Sequence, residues 1–245
     1  LSIHTRMALD EGFRQFAADD AVKAIVLICA GRTFIAGADI SELGKNVGGP
    51  NLGEVFDLIE SGTKPVVAAI HGTALGGGYE FALTCHYRIA VPSAKVGLPE
   101  VKLGLLPGAG GTQRLPRIVG IPAALDLITG GAPVPAKKAL ELGMIDALAG
   151  EGKLREDAIA FARKLIADGG ALVRVRDRQD KVEPYRGKPE IYADYLKKNA
   201  RQWRGFKAPY NIVKSIEAAA ELDFDAGIAR ERELFGELIA STESA

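Results

Sequence analysis

Three short apolar runs constrain what this chain can fold into. Residues 22–29 and 65–70 are rich in valine, isoleucine and alanine, and glycines stop them at Gly31 and Gly72; residues 88–91 form a third, shorter run. Runs of this length read as strands buried on both faces. Between and after them lie segments of helical period: 7–16, 54–59, 79–84, 112–119, 123–129, 136–142 and 157–166. Buried strands alternating with helices predict an α/β core around a parallel-type sheet. Past residue 170 the pattern changes. Residues 174–188 are charge-rich and read as an exposed loop, and helical periodicity returns at 190–203, 209–221 and 225–239. The expected organisation is an α/β core over residues 1–170 and a helical C-terminal region over 171–245.

Lysine plus arginine number 31 and aspartate plus glutamate 31. This balance gives no electrostatic argument for a nucleic-acid or anionic-membrane partner. No apolar run reaches membrane-spanning length, and no secretory leader is evident, so cytoplasmic residence is expected. Cys29 and Cys85 sit in apolar runs and read as buried thiols. His4, His71 and His86 have no metal-ligand spacing, and no metal is expected. The chain begins at Leu1, as a piece of a longer protein would.

Chemistry concentrates in three stretches. Ala74-Leu75-Gly76-Gly77-Gly78-Tyr79-Glu80 follows a strand and opens a helix. Its glycines read either as a tight strand-to-helix turn or as half of an oxyanion hole, with helix-start N–H groups aimed at an acceptor. Phe34-Ile35-Ala36-Gly37-Ala38-Asp39 likewise reads as a turn or as a place of close ligand approach, with the N–H of Ala38 as a second donor. Glu80 falls in a first helical turn, where the helix dipole alone justifies a carboxylate. Glu100 follows Pro99 within Gly97-Leu98-Pro99-Glu100-Val101-Lys102-Leu103-Gly104; alone it reads as a solvated loop residue. A further glycine loop, from Pro107 through Gly108 to Arg114, opens another helix. No GxxxxGK[ST], GxGxxG or GxSxG pattern is present.

In this order the motifs resemble the enoyl-CoA hydratase/isomerase (crotonase) family over about residues 1–170, with Lys64-Pro65 through Gly72 and Pro107 through Arg114 matching as well. The resemblance implies a crotonase-like spiral of ββα units with a helical C-terminal layer. It implies that the N–H groups of Ala38 and Gly77 hold a thioester oxygen, and that Glu80 and Glu100 are the catalytic pair. Ala36, Gly37, Asp39, Ile40, Gly76, Leu98, Pro99 and Gly108 would line the substrate. The implied reaction is hydration of a trans-2-enoyl-CoA in β-oxidation. The alternatives are Δ3–Δ2 isomerisation, which uses the glutamate matching Glu100, or acyl-CoA binding without turnover. No cofactor is implied, coenzyme A being part of the substrate.

The stretch from Phe224 to Phe235 is similar to the end of the hydratase domain in multifunctional fatty-acid oxidation enzymes, where a 3-hydroxyacyl-CoA dehydrogenase domain follows. His86 and Leu98 fit that subgroup. The resemblance also implies further strands ahead of Leu1 that contribute to the coenzyme A site. The implied assembly is a homotrimer or a domain covalently linked to the dehydrogenase.

Overall fold

The computed structural model describes residues 1–39, 42 and 48–241. In chain order the elements are α1 (Ile3–Ala18), β1 (Ile25–Ile28), α2 (Leu52–Glu60), β2 (Val66–Ile70), β3 (Thr73–Leu75), α3 (Gly77–Thr84), β4 (Tyr87–Ala90), β5 (Lys95–Gly97), α4 (Gly111–Val119) and α5 (Ile121–Gly130). These are followed by β6 (Val134–Pro135), α6 (Ala136–Glu141), β7 (Ala147–Leu148), α7 (Leu154–Ala167), α8 (Pro189–Asn199), α9 (Ala208–Glu221) and α10 (Phe224–Ile239). They group into two compact units, Leu1–Val96 with Val134–Val175, and Gly97–Pro133 with Arg176–Ala245. Both units are discontinuous in sequence. The expectation of one boundary near residue 170 did not include the grouping of 97–133 with the C-terminal helices.

In the first unit β1, β2, β4 and β7 form a parallel sheet in that order. The sequence places β2 at its centre: Val66, Val67, Ala68, Ala69 and Ile70 are all buried, as a strand covered on both faces requires. Ala68 sits opposite Leu27 of β1 and Arg88 of β4. Helix α7 packs on β1 and β2, and α2 packs on α1 and α3. A capping box starts α2, with Asn51 and Glu54 each bonded to the other's backbone N–H. A smaller sheet, ordered β3-β5-β6, pairs β5 antiparallel with β6.

The second unit is mainly helical. Helix α9 packs against α4, α5, α8 and α10, burying Ile212, Val213, Ile216 and a run of three alanines, Ala218–Ala220. Trp203 joins this core between Tyr195 and Tyr210, its ring centroid 5.7 and 5.9 Å from theirs. The segment expected to be an exposed loop, 174–188, contains two 3₁₀ turns and buries Val175 and Val182. Its dense charge hid two apolar anchors.

Candidate active site

Segment 34–38 runs alongside β3. Phe34 donates to the carbonyl of His71 at 2.9 Å, Ile35 to Thr73 at 3.1 Å, and Leu75 back to Ile35 at 3.1 Å. This pairing sets Ala38 against the start of α3. A Cβ on Gly77 would stand 3.1 Å from the Ala38 nitrogen, and one on Gly78 would collide with the carbonyl oxygen of Ile35. Only hydrogen at these Cα positions allows the two backbones to approach so closely. Gly76 turns the chain with φ +54° and accepts from the N–H groups of Tyr79 and Glu80, at 2.8 and 2.9 Å. As the first residue of the helix, Gly77 has an N–H with no intrahelical acceptor. Among the described residues neither that N–H nor the N–H of Ala38 has a hydrogen-bond acceptor. Two adjacent backbone donors are thus available to an anionic oxygen.

Glu80 lies one turn beyond Gly77 on the same side of α3 and is 3% exposed. The helix that carries it is rigidly seated, with every residue from Gly77 to Thr84 buried. The ring of Phe81 packs on Phe56 and Phe34, with centroids 5.8 and 6.4 Å away, and the hydroxyl of Tyr79 donates to the carbonyl of Met144 at 3.0 Å. A cavity of about 610 Å³ opens on residues 36–38, walled further by Leu9, Leu27, Ile28, Cys29 and Phe34. Burial pushes the Cys29 thiol up from its ordinary pKa and that of Cys85 to about 12, so neither is poised as a thiolate nucleophile.

Glu100 belongs to the second unit. It is half-buried and begins a 3₁₀ turn, Glu100–Leu103, where the sequence alone read a loop. Gly104 closes this turn, its N–H reaching the carbonyls of Glu100 and Val101, and the N–H of Leu105 returns to the Glu100 carbonyl at 3.1 Å. Gly131, at the end of α5, supports the segment from below, since a Cβ there would stand 2.7 Å from Val101 Cγ1 and 3.4 Å from Pro99 Cα. Leu98 is buried, and Gly108 lies against the ring of Phe235.

The structure therefore brings together Ala36, Gly37, Ala38, Gly76, Gly77 and Glu80 in one unit, with Asp39 directly following. Leu98, Pro99, Glu100 and Gly108 are gathered in the other. Ile40 lies outside the described residues. Both internal histidines have backbone partners: His71 Nε2 lies 3.2 Å from the Gly31 carbonyl, and His86 Nδ1 accepts from the N–H of Val66 at 3.1 Å. Burial, reinforced by the charge of Arg174, pushes the His86 pKa down to about 4, so its ring is neutral. Among the described residues no group of three or more His, Cys, Asp or Glu is arranged to hold a metal, and no helix is long and apolar enough to cross a membrane.

A family model described as enoyl-CoA hydratase/isomerase matches residues 1–182. A peroxisomal bifunctional enzyme of Danio rerio is 43% identical over 244 residues, which is 100% of this chain and 33% of the relative. A fatty acid oxidation complex subunit alpha of Shewanella loihica is 37% identical over 250 residues, covering 96% of this chain and 35% of the relative. Among solved structures, an enoyl-CoA hydratase from Bacillus anthracis superposes with a TM-score of 0.64 at 29% identity, over 99% of this chain and 83% of that one. The chain spans about a third of the length of the curated relatives it matches.

Proposed function

The chain belongs to the enoyl-CoA hydratase/isomerase family, and on that footing we propose that it adds water to a trans-2-enoyl-CoA, giving the 3-hydroxyacyl-CoA in fatty-acid β-oxidation. The observation that carries this reading is the pair of N–H groups of Ala38 and Gly77, which have no acceptor among the described residues, with the buried carboxyl of Glu80 one helical turn away. Attack of water at Cβ pushes charge onto the thioester oxygen. Backbone donors fixed in advance stabilise that charge, each contributing about 3–4 kcal/mol to lowering the barrier. Glu80 takes the proton from the attacking water, and Glu100 delivers a proton to Cα. The two carboxyls thus divide the work between one base and one acid. The reaction needs no metal or redox cofactor, and coenzyme A enters as part of the substrate. The cavity beside residues 36–38, apolar on most of its walls, supports binding of an acyl thioester.

The proposal extends to context. Relatives about three times as long support a parent chain in which a 3-hydroxyacyl-CoA dehydrogenase domain is covalently linked, with a homotrimer as the alternative assembly. Residence in the cytoplasm is part of the reading. The relative named peroxisomal marks the competing compartment, and cell fractionation separates the two. The chemical test uses two variants. Glu100→Gln loses both hydration and any Δ3-to-Δ2 isomerisation, while Glu80→Gln loses hydration more than isomerisation. Near-normal hydration by either variant refutes the assignment. Tight binding of an acyl-CoA analogue without turnover by the wild type points instead to a binding domain.

A further inference from the structure

Within the second unit, one face of α10 is built around the loop that follows Glu100. Gly227, Glu231 and Phe235 are spaced by four residues and so lie along a single stripe. At Gly227 a Cβ would overlap Gln113 Oε1, so the helix approaches as closely as glycine allows. Glu231 is fully buried. One of its oxygens accepts from the N–H of Gly110 at 2.6 Å, and the other from the N–H of Thr112 at 3.0 Å and from the Thr112 hydroxyl. Phe235 fills the space beside Gly108, where a Cβ would stand 2.7 Å from its Cδ2. A second tie comes from α9, where the Ser215 hydroxyl lies 2.6 Å from that of Thr112 and the Ser215 carbonyl accepts from Gln113 Nε2 at 2.8 Å.

Helix α4 depends on this arrangement. Its N-cap residue, Gly110, has φ +100° and no side chain, so the helix has no local side-chain cap. The carboxylate of Glu231, 121 residues away in sequence, takes that place. A buried carboxylate costs several kcal/mol unless its oxygens are fully hydrogen-bonded. Here three donors and a helix N-terminus satisfy it, and such charge-assisted bonds are short and directional. The bonds made by Gly104 and Leu105 to the Glu100 carbonyl anchor the other end of the same stretch of chain.

We propose that Glu231 is a positioning residue for Glu100. By clamping residues 108–112 from α10, it holds the far end of the stretch that runs on from Glu100 and so sets how that carboxyl is presented within the second unit. The proposal rests on the hydratase reading given above.

The test compares the wild-type chain with Glu231→Gln, Thr112→Val and Thr112→Ser in crotonyl-CoA hydration, recording kcat, KM, the pH–rate profile and the melting temperature of each. Misplacing the carboxyl lowers kcat about ten- to hundredfold in Glu231→Gln and Thr112→Val. KM changes less than kcat, because of the residues expected to line the substrate only Gly108 lies in the clamped segment. The pH–rate profile shifts with the changed placement of the Glu100 carboxyl, and Thr112→Ser, which keeps the hydroxyl, restores kcat. If Glu231→Gln does not fold, the two Thr112 variants decide: equal kcat in Val and Ser overturns the proposal. Wild-type kcat and pH profile in Glu231→Gln overturn it, as does a loss of rate fully accounted for by the unfolded fraction. A folded wild type that hydrates no enoyl-CoA overturns the hydratase reading and this proposal with it, whereas an active wild type with unaffected variants overturns this proposal alone.

Discussion

Replacing Gly78 by alanine drives a methyl group into the carbonyl oxygen of Ile35, the residue that registers segment 34–38 against β3. Backbone rather than a flexible side chain is in the way, so α3 and the segment carrying Ala38 must separate by roughly 1 Å, a displacement that typically costs about 10²-fold in rate. Complete loss of one oxyanion donor sets the outer bound, about 10²–10³-fold. Overpacking costs about 1–3 kcal/mol of stability, and alanine in a helix returns about 1 kcal/mol, leaving a net loss of about 0–2 kcal/mol. The change in rate thus exceeds anything unfolding can explain. Gly12→Ala in α1 is the control: nothing lies within 4 Å of its added Cβ, so it gains up to about 1 kcal/mol with kcat unchanged. Loss of the conjugated enoyl-thioester absorbance gives the rates and urea titration gives the stabilities. A Gly78→Ala variant as active as Gly12→Ala would refute the claim that the closeness of these two backbones builds the oxyanion site.

Two further expectations concern the support around the site. Tyr79→Phe leaves the buried Met144 carbonyl without the hydroxyl that donates to it at 3.0 Å, which costs about 1–3 kcal/mol in urea titration. His86, neutral in the fold with a pKa near 4, titrates near its ordinary value in the unfolded chain. The unfolded state therefore takes up a proton that the fold refuses, and stability present above about pH 6.5 falls by about 2 kcal/mol on acidification toward pH 4. Glu60 opposes this shift, while Arg174 and Arg88 reinforce it. In His86→Gln, whose amide oxygen can accept from Val66, the dependence of the urea midpoint on pH over that range is shallower; an unchanged slope would show that other groups govern it.

The long periodic helices and the strands within residues 22–29, 65–70 and 88–91 were legible in the sequence because burial on a fixed period leaves a repeating mark. The glycine run before Glu80 was legible for a related reason, since a strand-to-helix turn needs residues without a Cβ. Strands β3, β5, β6 and β7 were not: two or three residues cannot display alternation, and tertiary pairing alone makes them strands. Glu100 looked like a loop residue because its 3₁₀ turn, Glu100–Leu103, is too short to display a helical period, although Gly104 closes it. Glu231 carried no signal of its own beyond lying in the stretch from Phe224 to Phe235 that resembles the family. It sits among the charges of an amphipathic helix, and only the fold shows that its partners, Gly110 and Thr112, lie about half the chain away.

The central claim is that this chain adds water across an enoyl thioester under the control of Glu80 and Glu100. Isotope incorporation tests it most directly. Turnover of crotonyl-CoA in ¹⁸O-labelled heavy water is predicted to give a 3-hydroxyacyl product carrying ¹⁸O at C3 and deuterium at C2, with formation of this doubly labelled product lost in Glu100→Gln and in Glu80→Gln. A wild-type protein that leaves the substrate unlabelled, or a Glu100→Gln variant that still places both labels, would contradict it.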